Sequence, residues 1–156
     1  MKKSQIYVDT SVIGGCFDAE FKQWSDALME DFRKQRYVPV LSDVTAAEIA
    51  LAPVFVRDLH TAILALPARV VNVGEDAVAL VQYYTQRSVL GQRFLNDMLH
   101  IALATIAEVD VLVSWNFKHI VRLDKIRLFN AINMEQGYKP LTIYSPREVA
   151  TRAEED

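Results

Sequence analysis

Four polar residues stand at places in this chain where polar side chains are either costly or exposed at the end of an apolar run. Asp9 closes QIYVD, Glu48 lies in SDVTAAEI, Asp97 lies in FLNDMLHIALATIA, and Asn116 follows DVLVSW. Each has an ordinary explanation. An aspartate before Thr10 and Ser11 suits a helix N-cap or a turn, as does an asparagine after a strand. Thr45 and Glu48 have capping-box spacing, which Ser145 and Glu148 repeat as a plain cap. Asp97 is the most informative. It sits on a helix that is apolar nearly all round, where an ionised carboxylate is unfavourable unless something pairs with it. The alternative is a partly exposed first turn, where the helix dipole favours an acid. His100, three residues on, shares its face and reads as a packing group or a support for a ligand, not as a ligand itself.

Brought to one crevice, three carboxylates would repel and raise one another's pKa values. A hard divalent cation such as Mg²⁺ or Mn²⁺ removes that penalty, because it prefers oxygen ligands. A metal so held can activate water and stabilise charge developing on a phosphoryl group. Rival chemistries lack their residues. Gly14-Gly15 has neither dinucleotide nor P-loop spacing, and one cysteine with three scattered histidines makes no zinc site. A haloacid-dehalogenase-type phosphatase needs a second acid two residues after its strand-one aspartate, where this chain has Ser11.

The elements that must position these residues alternate. QIYVD (5–9), YVPVLS (37–42), RVVNV (69–73), DVLVSW (110–115) and LTIY (141–144) read as strands, with Pro39 weakening the second. Phe17, Phe21, Trp24, Leu28 and Phe32 form a helical stripe. DVTAAEIAL and, after Pro53, VFVRDLHTAILAL read as helices, as does EDAVALVQYYTQR, with Leu80, Val81 and Tyr84 inward. The segment from Phe94 to Ala107 reads as a largely buried helix. Ile126, Phe129, Ile132 and Asn133 mark a helix stopped by Gly137, and Pro146 opens a last short one. Five short strands separated by helices predict an α/β fold, a parallel sheet with helices on both faces. Ligands of such sheets sit at the strands' carboxyl ends, where strand order reverses.

With 156 residues, 51% apolar and 24% charged, the chain suits one domain, read as residues 1–150 with a polar tail at 151–156, and excludes disorder and collagen-like repeats. Seventeen basic against twenty acidic residues give a net charge of −3, so any nucleic-acid binding must use a local patch. The lone Cys16, the absence of a signal-peptide core and the lack of any 18-residue apolar run predict a soluble cytoplasmic protein with no membrane association.

VDTSVIGG around Asp9, SDVTAAEI around Glu48, NDMLHIALA around Asp97 and DVLVSWNFKHI around Asn116 resemble the PIN domain family, and within it the VapC-type toxin ribonucleases of VapBC toxin–antitoxin modules. The third and fourth motifs together carry most of the specificity. The resemblance implies a three-layer α/β/α fold with a five-stranded parallel sheet and a Mg²⁺- or Mn²⁺-dependent endoribonuclease. By that resemblance Asp9, Glu48 and Asp97 carry the metal, Asn116 takes the fourth catalytic position, and Thr10, Ser11 and Ser114 support the site. A metal-bound water would attack the RNA phosphodiester without a covalent intermediate.

Many family members have an aspartate where this chain has Asn116, so a second metal is in question. Members with a WNF-type fourth motif share the amide. KHIVRLDKIR follows that motif, and its Lys118, His119 and Arg122 are candidate RNA contacts, with Lys125 and Arg127 beyond them. Asp124 tempers the patch, and a solvated helix face is its plain alternative. Most of the aromatic stripe is expected to pack on the sheet, while the family implies a cognate antitoxin and a homodimer. A catalytically weak PIN-like module that binds metal or RNA as a scaffold or regulator is the alternative function.

Overall fold

A computed structural model describes residues 2–151; the rest of the expected tail, 152–156, lies outside the described residues. Five strands form one fully parallel sheet: β1 (Ser4–Val8), β2 (Tyr37–Ser42), β3 (Arg69–Val71), β4 (Val111–Val113) and β5 (Ile143–Tyr144), ordered β3-β2-β1-β4-β5. The chain runs outward from β1 through β2 to β3, then returns to the other side of β1 for β4 and β5. Strand order therefore reverses between β1 and β4. Register there pairs Ile6 with Val111 and Val8 with Val113, which puts the residues after both strands side by side.

Side chains alternate across the sheet as a two-residue period demands. Tyr7, Val40, Leu112 and Ile143 join one core. Its helices are α5 (Glu75–Gln86), α6 (Leu95–Ile106, entered through a 3₁₀ turn at Gln92–Phe94) and α7 (Leu123–Glu135). Ile6, Val8, Leu41 and Val113 join the other core. There α1 (Thr10–Gly15), α2 (Lys22–Arg33), α4 (Val54–Leu64) and α8 (Pro146–Val149) cover the sheet. Helix α3 (Asp43–Ile49) spans the edge, sending Val44 to the first core and Ile49 to the second. The result is the expected three-layer α/β/α arrangement.

Pro39 is tolerated inside β2 because β3 begins its pairing only at Val40, so β2 is an edge on that side at the proline. Gly137 ends α7 at φ +86°, a conformation that favours glycine. Ser145 and Glu148 form the predicted capping box, with Ser145 N donating to Glu148 Oε2 at 2.9 Å.

Residues 10–15 form helix α1 behind Asp9 at its N-cap position. A Cβ at Gly15 would lie 2.6 Å from Ser25 Oγ and 2.7 Å from Trp115 Nε1, so this glycine lets α1 approach α2 and the turn after β4. The aromatic stripe spans less helix than predicted, since α2 begins at Lys22. Leu28 and Phe32 are fully buried, and Phe21 and Trp24 pack against the core. Phe17 lies before the helix, half exposed against Phe55 at 4.7 Å between ring centroids.

Candidate functional site

The crevice at the β1/β4 reversal is built from the residues following those strands. Asp9 is the N-cap of α1, yet its side chain caps nothing. Its Oδ2 instead accepts from Ser11 Oγ at 2.6 Å and Ser114 Oγ at 2.8 Å. Backbone N–H groups fix both hydroxyls: Trp115 N donates to Ser11 Oγ at 3.0 Å and Asn116 N to Ser114 Oγ at 2.9 Å. The carboxylate is thus oriented, almost wholly buried, by the two strand ends it joins.

Glu48 is not a capping-box residue. Ser42 caps α3, accepting from Thr45 N at 3.3 Å, which places Thr45 inside the helix and frees Glu48 to face the crevice. There Glu48 Oε1 accepts from Thr10 Oγ1 at 2.8 Å and from His100 Nε2 at 2.6 Å. The hydroxyls after β1 therefore divide, Thr10 serving Glu48 and Ser11 serving Asp9.

His100 is the centre of this arrangement. It is 1% exposed, and its Nε2 also lies 3.4 Å from Asp9 Oδ1. Its Nδ1 is 2.7 Å from the Tyr7 hydroxyl, which is 2.7 Å from Ser42 Oγ in turn. Burial alone would lower the imidazole's pKa, but the Glu48 hydrogen bond and the charges of Asp9, Glu48 and Asp97 outweigh it and hold the pKa above 6.5. Burial raises Glu48, and the His100 hydrogen bond and charge, with Thr10 and Asn96, overcome it to hold this carboxyl below its ordinary value. Burial also drives the Tyr7 hydroxyl upward, so it stays a neutral bridge.

Asp97, in the first turn of α6, enters from the other side. Burial raises its pKa, the hydrogen bond from His119 opposes that, and the charge of Asp9 raises it again; the net direction is upward. His119 Nδ1 lies 3.0 Å from Asp97 Oδ2, and its ring packs on Phe94 at 4.0 Å. Asn116 behaves as a turn residue, its Oδ1 accepting from Lys118 N at 3.2 Å and His119 N at 2.9 Å. Its side chain thereby fixes the loop that brings His119 to Asp97.

The structure brings Glu48 and Asp9 to His100, with Thr10 on Glu48, Ser11 and Ser114 on Asp9, Asp97 near enough to feel the charge of Asp9, and Asn116 holding the adjacent loop. The predicted basic patch is less available. Lys118 is exposed, but His119 faces Asp97, Arg122 Nε donates to Asp124 at 2.7 Å, and Lys125 Nζ donates to Val89 O at 2.7 Å. Sequence reasoning missed the centrality of His100 and the Asp97 partner His119. The i, i+3 spacing of Asp97 and His100 was the available signal for the first. Trp115 is core as expected, stacked on Phe21 at 4.3 Å and donating from Nε1 to Ser25 Oγ at 2.8 Å.

Among the described residues no Lys or Arg pairs with Asp9, Glu48 or Asp97; their basic neighbours are the imidazoles of His100 and His119. The donor set, carboxylate oxygens with Asp97 under electrostatic pressure from Asp9, has the chemistry that suits a hard divalent cation. Among the described residues no three His, Cys, Asp or Glu side chains close into a metal-holding group, since Glu48 and Asp97 are each turned onto a histidine. No helix is long and apolar enough to cross a membrane among the described residues.

No sequence-family profile matches this chain, and no curated protein matches it in sequence. Solved structures do match. The chain is similar to VapBC2 from Rickettsia felis bound to a DNA fragment from its promoter, at 10% identity and a TM-score of 0.57, covering 90% of this chain and 98% of that one. It is similar to a toxin–antitoxin complex from Klebsiella pneumoniae, at 15% identity and 0.59, covering 90% and 97%. It is also similar to FitAcB from Neisseria gonorrhoeae, at 17% identity and 0.60, covering 91% and 98%. At these identities the likeness is one of fold: the chain has the PIN-like three-layer α/β/α architecture along nearly all of its length.

Proposed function

We propose that this protein is a metal-dependent endoribonuclease and the toxin of a toxin–antitoxin pair. The observation that carries the reading is that Asp9 and Glu48 share His100 at the β1/β4 reversal, with Asp97 near enough to feel the charge of Asp9 and no Lys or Arg paired to any of the three among the described residues. Asp9, Asp97 and Glu48 would hold Mg²⁺ or Mn²⁺, which when bound supplies an activated water and positive charge against the phosphoryl oxygens. The chain's own residues do the rest. Ser11 and Ser114 fix the Asp9 carboxylate, while Thr10 and His100 fix Glu48. His119 orients Asp97. RNA phosphates would meet Lys118, with His119 and Arg122 at the rim.

An antitoxin is supported by unpartnered apolar surface. Leu51, Val54, Phe55 and Leu64, on and just before α4, are exposed, with Phe55 against the half-exposed Phe17, and Leu51 is 91% exposed. Such a patch suits the apolar face of a partner segment. The homodimer stands as part of the same proposal.

Incubating the chain with structured RNAs in Mn²⁺ or EDTA tests the reading. Cleavage is expected only with the metal, and is expected to vanish in Asp9→Asn while the folded protein persists. Mn²⁺ at a hundredfold excess over its Kd should also add about 2.7 kcal/mol to apparent stability. Parent-rate cleavage by Asp9→Asn would overturn the site assignment. Metal binding without cleavage across a broad RNA panel would favour the scaffold reading, which draws on the neutral, loop-bound Asn116.

A further inference from the structure

A second concavity borders Ser11. It measures about 390 Å³ and is lined by Ser11, Gly14, Gly15, Asp18, Phe21, Trp115 and Asn116. Ser11 is a shared wall, since its hydroxyl donates to Asp9 Oδ2 at 2.6 Å while the residue borders this cavity. A group seated here would therefore be immediate neighbour to anything reacting at Asp9.

The lining has the mixed character of a nucleobase site. Phe21 and Trp115 stack with ring planes 16° apart, and Phe117 leans on both at 6.5 and 6.1 Å between ring centroids. Phe117 is not one of the lining residues; it adjoins the lining through these two rings and is 51% exposed, leaving ring surface on which an unstacked base reaching out of the cavity can lie. Two polar groups complete the cavity. Asp18 is held by accepting from Glu20 N at 2.9 Å through Oδ1, and its Oδ2 accepts no hydrogen bond among the described residues. Asn116 has its Oδ1 committed to the loop, so its amide N–H₂ is the group it can offer.

We propose that this cavity is a guanine-selective base subsite flanking the scissile phosphate, an inference that rests on the nuclease reading above. A carboxylate only accepts hydrogen bonds, so it is satisfied by a base edge that presents two adjacent donors. Guanine does so with N1–H and N2–H₂. Adenine and cytosine present one amino group beside an acceptor, and uracil one N–H between two carbonyls, which a carboxylate repels. The Asn116 amide is the donor that guanine O6 requires.

Gly14 gives a clean way to close the cavity. A Cβ there meets nothing within 4 Å, and the residue is helical, so Gly14→Leu should fold at least as well as the parent while filling the space. Asp18→Asn keeps the acceptor for Glu20 N but presents an amide to the base.

Binding of GMP, AMP and IMP to the full chain, followed by NMR titration in EDTA, tests the subsite without requiring cleavage. GMP should bind about tenfold tighter than AMP, as a bidentate contact discriminates, with IMP between them because it lacks the second donor. Both substitutions should abolish the preference. Equal binding of GMP and AMP, binding of neither, or a GMP preference that survives Asp18→Asn overturns the proposal. A chain that cuts RNA indifferently to the flanking base and binds GMP and AMP alike sinks the subsite alone. A chain that cuts no RNA yet binds GMP as described supports the subsite and counts against the nuclease.

Discussion

Replacing His100 with glutamine separates the electrostatic account of the crevice from simple packing. The imidazole is buried to 1% exposure, bonded to Glu48 at 2.6 Å and to Tyr7 at 2.7 Å, with Asp9 Oδ1 at 3.4 Å. Removing one partner of a fully buried ion pair costs about 3–5 kcal/mol. Here Glu48 is 30% exposed at the side chain and keeps Thr10, and Tyr7 keeps Ser42, which moves the expected loss to about 2–3 kcal/mol. For a chain of this size that is a fall in Tm of about 4–12 °C.

The pH dependence has a definite sign. A histidine held above its ordinary pKa of 6.5 contributes stability that is complete below that value and fades as pH rises through its folded pKa. Glu48, held below its ordinary 4.5, contributes stability above that value and loses it as pH falls through its folded pKa. The gap between parent and His100→Gln should therefore be widest between those two values and narrow toward alkaline pH. Urea denaturation across that range, with Glu48→Gln and the double variant closing a mutant cycle, measures it. A coupling energy of about 1–2 kcal/mol is expected. Strict additivity, or a gap independent of pH, would show that His100 matters only as filler.

Asp97→Asn should leave the metal-free protein as stable as the parent or slightly more so at neutral pH, because burial and Asp9 already disfavour the ionised carboxyl. The same variant should lose RNA cleavage by at least about a hundredfold, the upper end of what losing an outer-shell partner does; matched thermal melts and cleavage rates check both halves. Gly15→Ala should cost about 1–3 kcal/mol through overpacking, since its Cβ would intrude on Ser25 Oγ and Trp115 Nε1, and denaturation midpoints would read this directly.

What was legible in the sequence follows from how local each signal is. Strands β1, β2 and β4 announced themselves through β-branched and apolar runs, and the polar residues that close β1 and β4 marked the crevice because a strand's end needs no tertiary information to locate. Helix α1 was hidden for the converse reason. Gly14-Gly15 weakens local helix propensity, and the compensation, a close approach to Trp115 and Ser25, comes from residues 10 and 100 positions away. Thr45-x-x-Glu48 misled in the same way, because Ser42 three residues earlier takes the cap and turns Glu48 into the crevice.

The histidines show where local reading stops altogether. His100 meets Glu48 across 52 residues, and His119 meets Asp97 across 22. Neither pairing can be inferred from spacing, because each depends on which face α6 turns to α3 and to the loop after β4. Once both are placed, the electrostatics of the crevice become asymmetric. His100 relieves Glu48 enough to keep it ionised, whereas His119 fails to offset burial and Asp9 at Asp97. A divalent cation at this crevice would therefore relieve Asp97, whose carboxyl is held above its ordinary pKa by burial and the charge of Asp9, and that is where the stability of the metal-free protein and the chemistry of the loaded one pull in opposite directions.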